Sequence, residues 1–285
     1  MSDRLRIFLL LAPAMTIIVV LFFGGLAVGV ARSFNYMPVI GLTAPNLDAY
    51  RAVLTDRNFL QSLALSLHIS LTSTVLSAVI AIAAALLLRR SFIGRGAINF
   101  LFQLNLTVPH IVGAVGILYL FSQSGSFARL SHATGLIERP ADFPALVFDP
   151  YAIGIILHYV WKEVPFIGVI VLAQMQALGT DYEAVARSLG ASRWQAFRHV
   201  LLPLIFPGAL SASVIVFAFT FGAYEIPAIL GASHPQALAV LAYKSYTDVD
   251  LAARPQAMAM AVIIALLSGL MIWLYLRATR AGIQR

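Results

Sequence analysis

Long apolar runs alternate with short polar connections along the whole chain. Six stretches reach about 20 mostly apolar residues, the length an α-helix needs to cross the hydrocarbon core of a bilayer. They are Ile7–Val30, Gln61–Leu88, Ile98–Phe121, Tyr151–Leu178, Ile205–Leu230 and Ala257–Leu276. The pattern predicts an all-α integral membrane protein with six transmembrane helices in one domain over 1–285. The first run follows Arg4 and Arg6 and closes on Val-Gly-Val-Ala, in the manner of a signal peptide. It is longer than the roughly 7–15 residues of a signal h-region, and so reads as a retained helix. The connections 31–60, 122–150 and 231–256 are too short for an independent core.

Several polar positions interrupt the apolar pattern. In the second run, Ser62, Ser66, Ser70, Ser73 and Ser77, then Ala81 and Ala84, recur at steps of three and four. That stripe predicts close helix packing. His68 lies off it and reads as hydrogen-bonded structure. The third run carries Asn105, Thr107 and Pro109, and the missing N–H of Pro109 predicts a kink beside a polar groove. Lys162 and Glu163 are adjacent in "YVWKEVPF", and Glu225 follows Tyr224 in "FGAYEIPAIL". An ionisable group inside a span costs at least about 2.5–3.5 kcal/mol, which makes these residues candidates for a translocation path. The bland readings are a locally paired Lys162 and Glu163, and an interfacial Glu225.

The longest organised polar stretch is "DYEAVARSLGASRWQAFRHVLLPL", residues 181–204, which takes up nearly all of the connection 179–203. Tyr182, Val185, Ala186 and Leu189 share one helical face, with Asp181 as a predicted N-cap and Glu183 in the first turn. Gly190 can end that helix in the left-handed conformation. Ser192 can cap a second helix carrying Trp194, Phe197 and Leu201, and Pro203 and Pro207 mark the entry to the fifth run. The expected product is a helix–turn–helix with an apolar rim flanked by Arg187, Arg193 and Arg198. An isolated amphipathic loop would lie on lipid headgroups. Two short helices locked by a turn better suit a protein partner, for which aromatic and Arg anchors dominate binding.

Composition sharpens this picture. The 285 residues are 60% hydrophobic and 11% charged, against about 25% charged for soluble domains. The formal charge of +7 reflects the arginines of cytoplasmic loops, not nucleic-acid binding. Arg4, Arg6, Arg89, Arg90, Arg95, Arg187, Arg193, Arg198, Arg277, Arg280 and Arg285 fall on one side, against Arg32, Arg51, Arg57, Arg129, Arg139, Lys244 and Arg254 on the other. The denser side is cytoplasmic, so both termini and residues 181–204 are expected there. The chain has no cysteine, which excludes disulfides and thiolate metal sites. It also lacks GxxxxGK[ST], HExxH and GxSxG, and no metal-ligand spacing appears among its His residues; a membrane-embedded enzyme is poorly supported.

From Gly190, nine residues lead to Val200, Leu201 and Leu202-Pro203 without a gap. This resembles the cytoplasmic signature of permease subunits in binding-protein-dependent ABC importers: Glu-Ala-Ala, three residues, Gly, nine residues, an aliphatic residue, any residue, Leu-Pro. "LGAS" at 189–192, Pro207-Gly208, "VPHIVGAVGILYLFSQSG" and "WKEVPF" extend the likeness, which is nearest in flavour to spermidine/putrescine-type permeases. The family's Glu position holds Ala184, with Glu183 one residue early.

The resemblance implies a non-enzymatic translocation subunit of a type I importer in the bacterial inner membrane. Its partners would be an ATPase dimer carrying ATP and Mg, a second permease chain, different or identical, a periplasmic or lipid-anchored solute-binding protein, and membrane lipid. This chain itself would bind no cofactor, metal or nucleic acid. Glu183, Ala184, Arg187, Gly190, Ala191, Trp194, Phe197, Arg198 and Pro203 would form the ATPase-coupling loop, with Gly190 as its hinge and Ala191 near the docking contact. A polyamine-like solute is the expectation that follows from the flavour of the likeness. An ion-coupled secondary transporter using Glu225 is the alternative.

Overall fold

A computed structural model describes residues 3–89, 93–179 and 181–283; Arg90 and Arg285, counted above, lie outside them. The first helical run joins α1 (Asp3–Ile17) through a π-turn at Ile18–Phe23 to α2 (Gly24–Ser33). Then come α3 (Asp48–Thr55), α4 (Arg57–Leu88), α5 (Arg95–Leu104), α6 (His110–Phe121) and α7 (Ser126–Ala133). The long α8 (Ile153–Leu178) precedes α9 (Asp181–Ser188), α10 (Arg193–Ala196), α11 (Leu202–Gly222) and α12 (Glu225–Leu230). The chain ends in α13 (Leu238–Tyr246) and α14 (Arg254–Ile283). Among the described residues there is no strand, only an isolated bridge between Met37 and Leu42.

Six segments among the described residues are long and apolar enough to cross a membrane: Arg4–Ser33, Arg57–Leu88, His110–Ala133, Ile153–Leu178, Arg193–Gly222 and Leu251–Arg277. Four match the expected runs within a few residues. The third differs, because Ile98–Phe121 is not one kinked helix. It breaks into α5, a 3-10 turn at Asn105–Thr107 and α6, with Val108 extended between the two. Proline forces that extension by crowding the residue before it. The fifth run also stops early, at Gly222, with Ala223 extended before α12. Pro227 has no N–H for the carbonyl of Ala223, so α11 cannot continue through it.

The entry to α11 is the second difference. Pro203 does not separate it from the 181–204 stretch, since α10 continues through a π-turn at Phe197–Leu201 directly into α11. A wide turn just before Pro203 relieves the clash its ring would make with the preceding turn.

The chain forms two compact units. The first holds Met1–Leu60 and Leu238–Leu266. Ser33 Oγ and Tyr50 OH lie 2.8 Å apart, tying α2 to α3, and Gly29 brings α2 against Met258 of α14. Val53, Phe59, Leu238 and Ala259 are its most buried apolar residues.

The second unit holds Gln61–Ala237 and Leu267–Arg285. Its core joins Ala81, Ala85 and Leu88 of α4 to Ile167, Val171 and Met175 of α8 and to Ile205, Ala209 and Ala212 of α11. Small residues on the outer two helices let both approach α8 closely. Ser62, Ser66, Ser70, Ser73 and Ser77 are all buried, so the stripe is a packing face. It continues through Ala81 to Ala85, not Ala84. Ser70 and Ser73 donate back to the carbonyls of Ser66 and Ile69 at 2.7 and 2.6 Å. His68 is structural as well, 3.2 Å from the Tyr151 carbonyl.

Candidate functional site

Residues 181–203 form a helix–turn–helix. Asp181 stands at the first position of α9, inside the helix and not at its cap. Gly190 takes φ +93°, a conformation that costs other residues roughly 1–2 kcal/mol. Its N–H donates to the Arg187 carbonyl at 3.0 Å and that of Ala191 to Ala186 at 3.1 Å, the paired closure of a Schellman motif. Two residues later Ser192 opens α10 with a capping box. Its hydroxyl accepts from Gln195 N at 3.2 Å, and its own N–H donates to Gln195 Oε1 at 2.8 Å. Stop and start are thus both satisfied within five residues, and the turn is rigid.

The rim is apolar and open. Tyr182, Val185, Leu189 and Trp194 are all exposed, Leu189 at 83% and Trp194 at 63%. Trp194 stacks beside Phe197 with ring centroids 5.5 Å apart. Contiguous exposed apolar surface rimmed by charge marks an interaction site. Ala184, Arg187, Arg198 and Pro203 are also exposed, and Ala191 is half-buried. Glu183 turns inward, where Arg89 just past α4 grips its carboxylate at 2.6 and 2.9 Å. That pair itself lines a cleft of roughly 720 Å³, together with Leu86, Arg187, Arg193, Trp194 and Phe197.

The intramembrane polar residues group around the two helix breaks. Lys162 is 5% and Glu163 6% exposed. The Lys162 ammonium does not pair with Glu163. It donates to the carbonyls of Asn105 at 2.6 Å, Val108 at 2.5 Å and Leu106 at 3.4 Å. Adjacent residues point to different sides of a helix, which keeps the two charges apart. Asn105 answers by donating to the Trp161 carbonyl. Thr107 is exposed and bonds its own turn, at 2.7 Å from the Leu104 carbonyl. Glu225 and Tyr224 are exposed at the start of α12. Glu225 lies within electrostatic reach of His110 and Tyr159, and α12 packs on α6. The break at 105–109 and the break at 223–224 are therefore neighbours. No group of three His, Cys, Asp or Glu residues able to hold a metal occurs among the described residues.

Sequence reasoning missed two contacts, Lys162 to the freed carbonyls and Arg89 to Glu183. A usable sign of the first was Pro109 itself, since its absent N–H orphans the carbonyl four residues earlier, that of Asn105. Nothing local signalled the second.

The chain is similar to known proteins in sequence and in fold. The chain is 29% identical over 229 residues to the molybdenum transport system permease protein ModB of Mycobacterium bovis, covering 77% of this chain and 81% of that protein. It is 26% identical over 251 residues to the trehalose transport system permease protein SugA of Mycobacterium tuberculosis, covering 85% and 79%. The sn-glycerol-3-phosphate transport system permease protein UgpA of Brucella abortus is 29% identical over 260 residues, covering 86% and 84%. These names lend no support to a polyamine-type permease. A solved bacterial ABC transporter involved in the import of alginate shares the fold, with a TM-score of 0.80 at 18% identity over 98% of this chain and 96% of that one. The description "Binding-protein-dependent transport system inner membrane component" matches residues 77–281, and the chain belongs to that family of multi-pass ABC importer permeases.

Proposed function

We propose that this chain is the translocation subunit of an ATP-driven importer and receives the work of a separate ATPase dimer through residues 181–204. The observation that carries the reading is the rigid turn at Gly190–Ser192, which holds exposed Tyr182, Val185 and Leu189 outside every candidate span and Trp194 at the very start of the fifth. Ala184, Arg187, Ala191, Phe197, Arg198 and Pro203 complete that coupling element. A second permease chain, a solute-binding protein at the outer loops and a bacterial inner membrane location, with both termini cytoplasmic, follow from the family and the arginine distribution. A bacterial alginate ABC transporter of similar fold has been solved in complex with its alginate pentasaccharide-bound periplasmic protein.

The solute path runs past the neighbouring breaks, where Tyr224, Glu225 and Thr107 are exposed. Interrupted helices are where membrane transporters bring backbone and side-chain polarity to a solute. Asn105, Lys162 and Glu163 stand behind that surface. The solute is small and its class is set by the binding protein.

Uptake into vesicles should require ATP, the partner ATPase and the binding protein together. Uptake by this chain alone, driven by an ion gradient, would overturn the reading. Screening the binding protein against molybdate, a disaccharide, glycerol phosphate and a polyamine assigns the class.

A further inference from the structure

The acid of the cytoplasmic element is already engaged. Both Glu183 oxygens accept from the Arg89 guanidinium, at 2.6 and 2.9 Å, with side chains only 18% and 24% exposed. Forked Arg–carboxylate pairs fix geometry as well as charge. Arg187 stands four residues after Glu183, the local spacing for a helical ion pair, yet the carboxylate is held by Arg89 across 94 positions of sequence. Position matters here. Successive residues turn about 100° around a helix, so an acid at the exposed Ala184 would face outward, whereas at Glu183 it faces α4.

The helix that carries Glu183 is short and largely exposed. Gly179 and Gly190 flank α9 at φ +69° and +93°, and a Cβ at either would meet nothing within 4 Å. Within α9 only Glu183 and Ala186 escape full exposure. Arg89, by contrast, follows Leu88 directly, and Leu88, Ala85 and Ala81 root α4 in the core beside α8 and α11. The ion pair is a direct side-chain link from a short, exposed helix to a deeply packed one.

We propose that the Arg89–Glu183 pair is the joint that fixes α9 to α4, so that a push on the exposed rim of α9 reaches the second span directly. Both are positioning residues. The inference rests on the proposed coupling function and adds that Glu183 works within this chain, leaving the ATPase to meet the apolar rim and the free arginines Arg187 and Arg193.

The test uses the complete transporter in vesicles with its ATPase, second permease and binding protein. The readout is the ratio of ATP hydrolysis with solute-loaded binding protein to hydrolysis without it, taken only on complexes recovered intact. Arg89→Ala and Glu183→Gln should each lower this ratio at least about fivefold, the scale of a lost coupling between sites. The exchange Arg89→Glu with Glu183→Arg should restore most of it, and Arg89→Lys, which keeps the charge but not the fork, should fall between. An unchanged ratio in both single variants overturns the joint, as does an exchange no better than the singles. A wild-type complex whose hydrolysis ignores the binding protein overturns the proposed function, and the joint with it.

Discussion

The ammonium of Lys162 lies 2.6 Å from the carbonyl of Asn105, which Pro109 four residues on cannot serve and which otherwise keeps only the 3-10 donor Val108 N–H at 3.1 Å. A bilayer supplies no water to satisfy such a carbonyl, so the protein must. Lys162 is thus part of the helix break and not a free charge awaiting solute.

Replacing Lys162 with Met should therefore destabilise the purified chain by about 2–4 kcal/mol, since up to three carbonyls lose a charged donor in a dry site. Thermal unfolding in detergent checks this. Adding Pro109→Ala should recover part of the loss, because the restored N–H can reach the Asn105 carbonyl. Equal stability of Lys162→Met and wild type would show that the carbonyls find other partners.

Gly190→Ala should cost about 1–2 kcal/mol through backbone strain alone, as no neighbour stands within 4 Å of the added carbon. Gly190→Arg adds bulk beside the exposed rim. It should leave insertion in the membrane intact while sharply reducing recovery with the ATPase in a pull-down. Wild-type transport by that variant would refute docking at the turn.

The Gly208 backbone of α11 sits against the Gln174 side chain of α8, where a Cβ would collide. Gly208→Val should destabilise by roughly 1–3 kcal/mol, the range for overpacking. Gln174→Ala in the same chain should relieve much of it, and a double-mutant cycle of unfolding midpoints measures the coupling. Additive effects would place the two apart.

With no native cysteine, single thiols report cleanly on exposure. Cysteine at Leu189 or Val185 should react with a membrane-impermeant maleimide applied from the cytoplasmic face. Cysteine at Ala196 or Leu201, both buried, should stay unlabelled. Labelling at 189 only from the opposite face would invert the proposed orientation.

Much of this was legible in the sequence, for identifiable reasons. Span lengths follow from apolar runs, and the Gly190 stop and Ser192 start follow from local backbone rules that need no tertiary context. The serine stripe was readable because helical spacing places small residues on one face. The break at 105–109 was under-read as a kink, because whether a proline bends or ends a helix depends on who satisfies the freed carbonyls. Here that is Lys162, more than 50 positions away. Its neighbour Glu163 invited a local pairing that geometry disallows. Arg89 and Glu183 were each visible as loop charges, but nothing in periodicity joins them.

The continuous run from Arg193 to Gly222 has a mechanical reading. Thirty helical residues at 1.5 Å each make a rod of about 45 Å. Trp194 lies at one end of it, and Tyr224 and Glu225 lie just past the other. A tilt of about 10° pivoting at the Trp194 end would sweep the far end through roughly 8 Å, more than the width of a side chain. One unbroken helical path thus spans the distance from the exposed aromatic rim to the break beside Glu225.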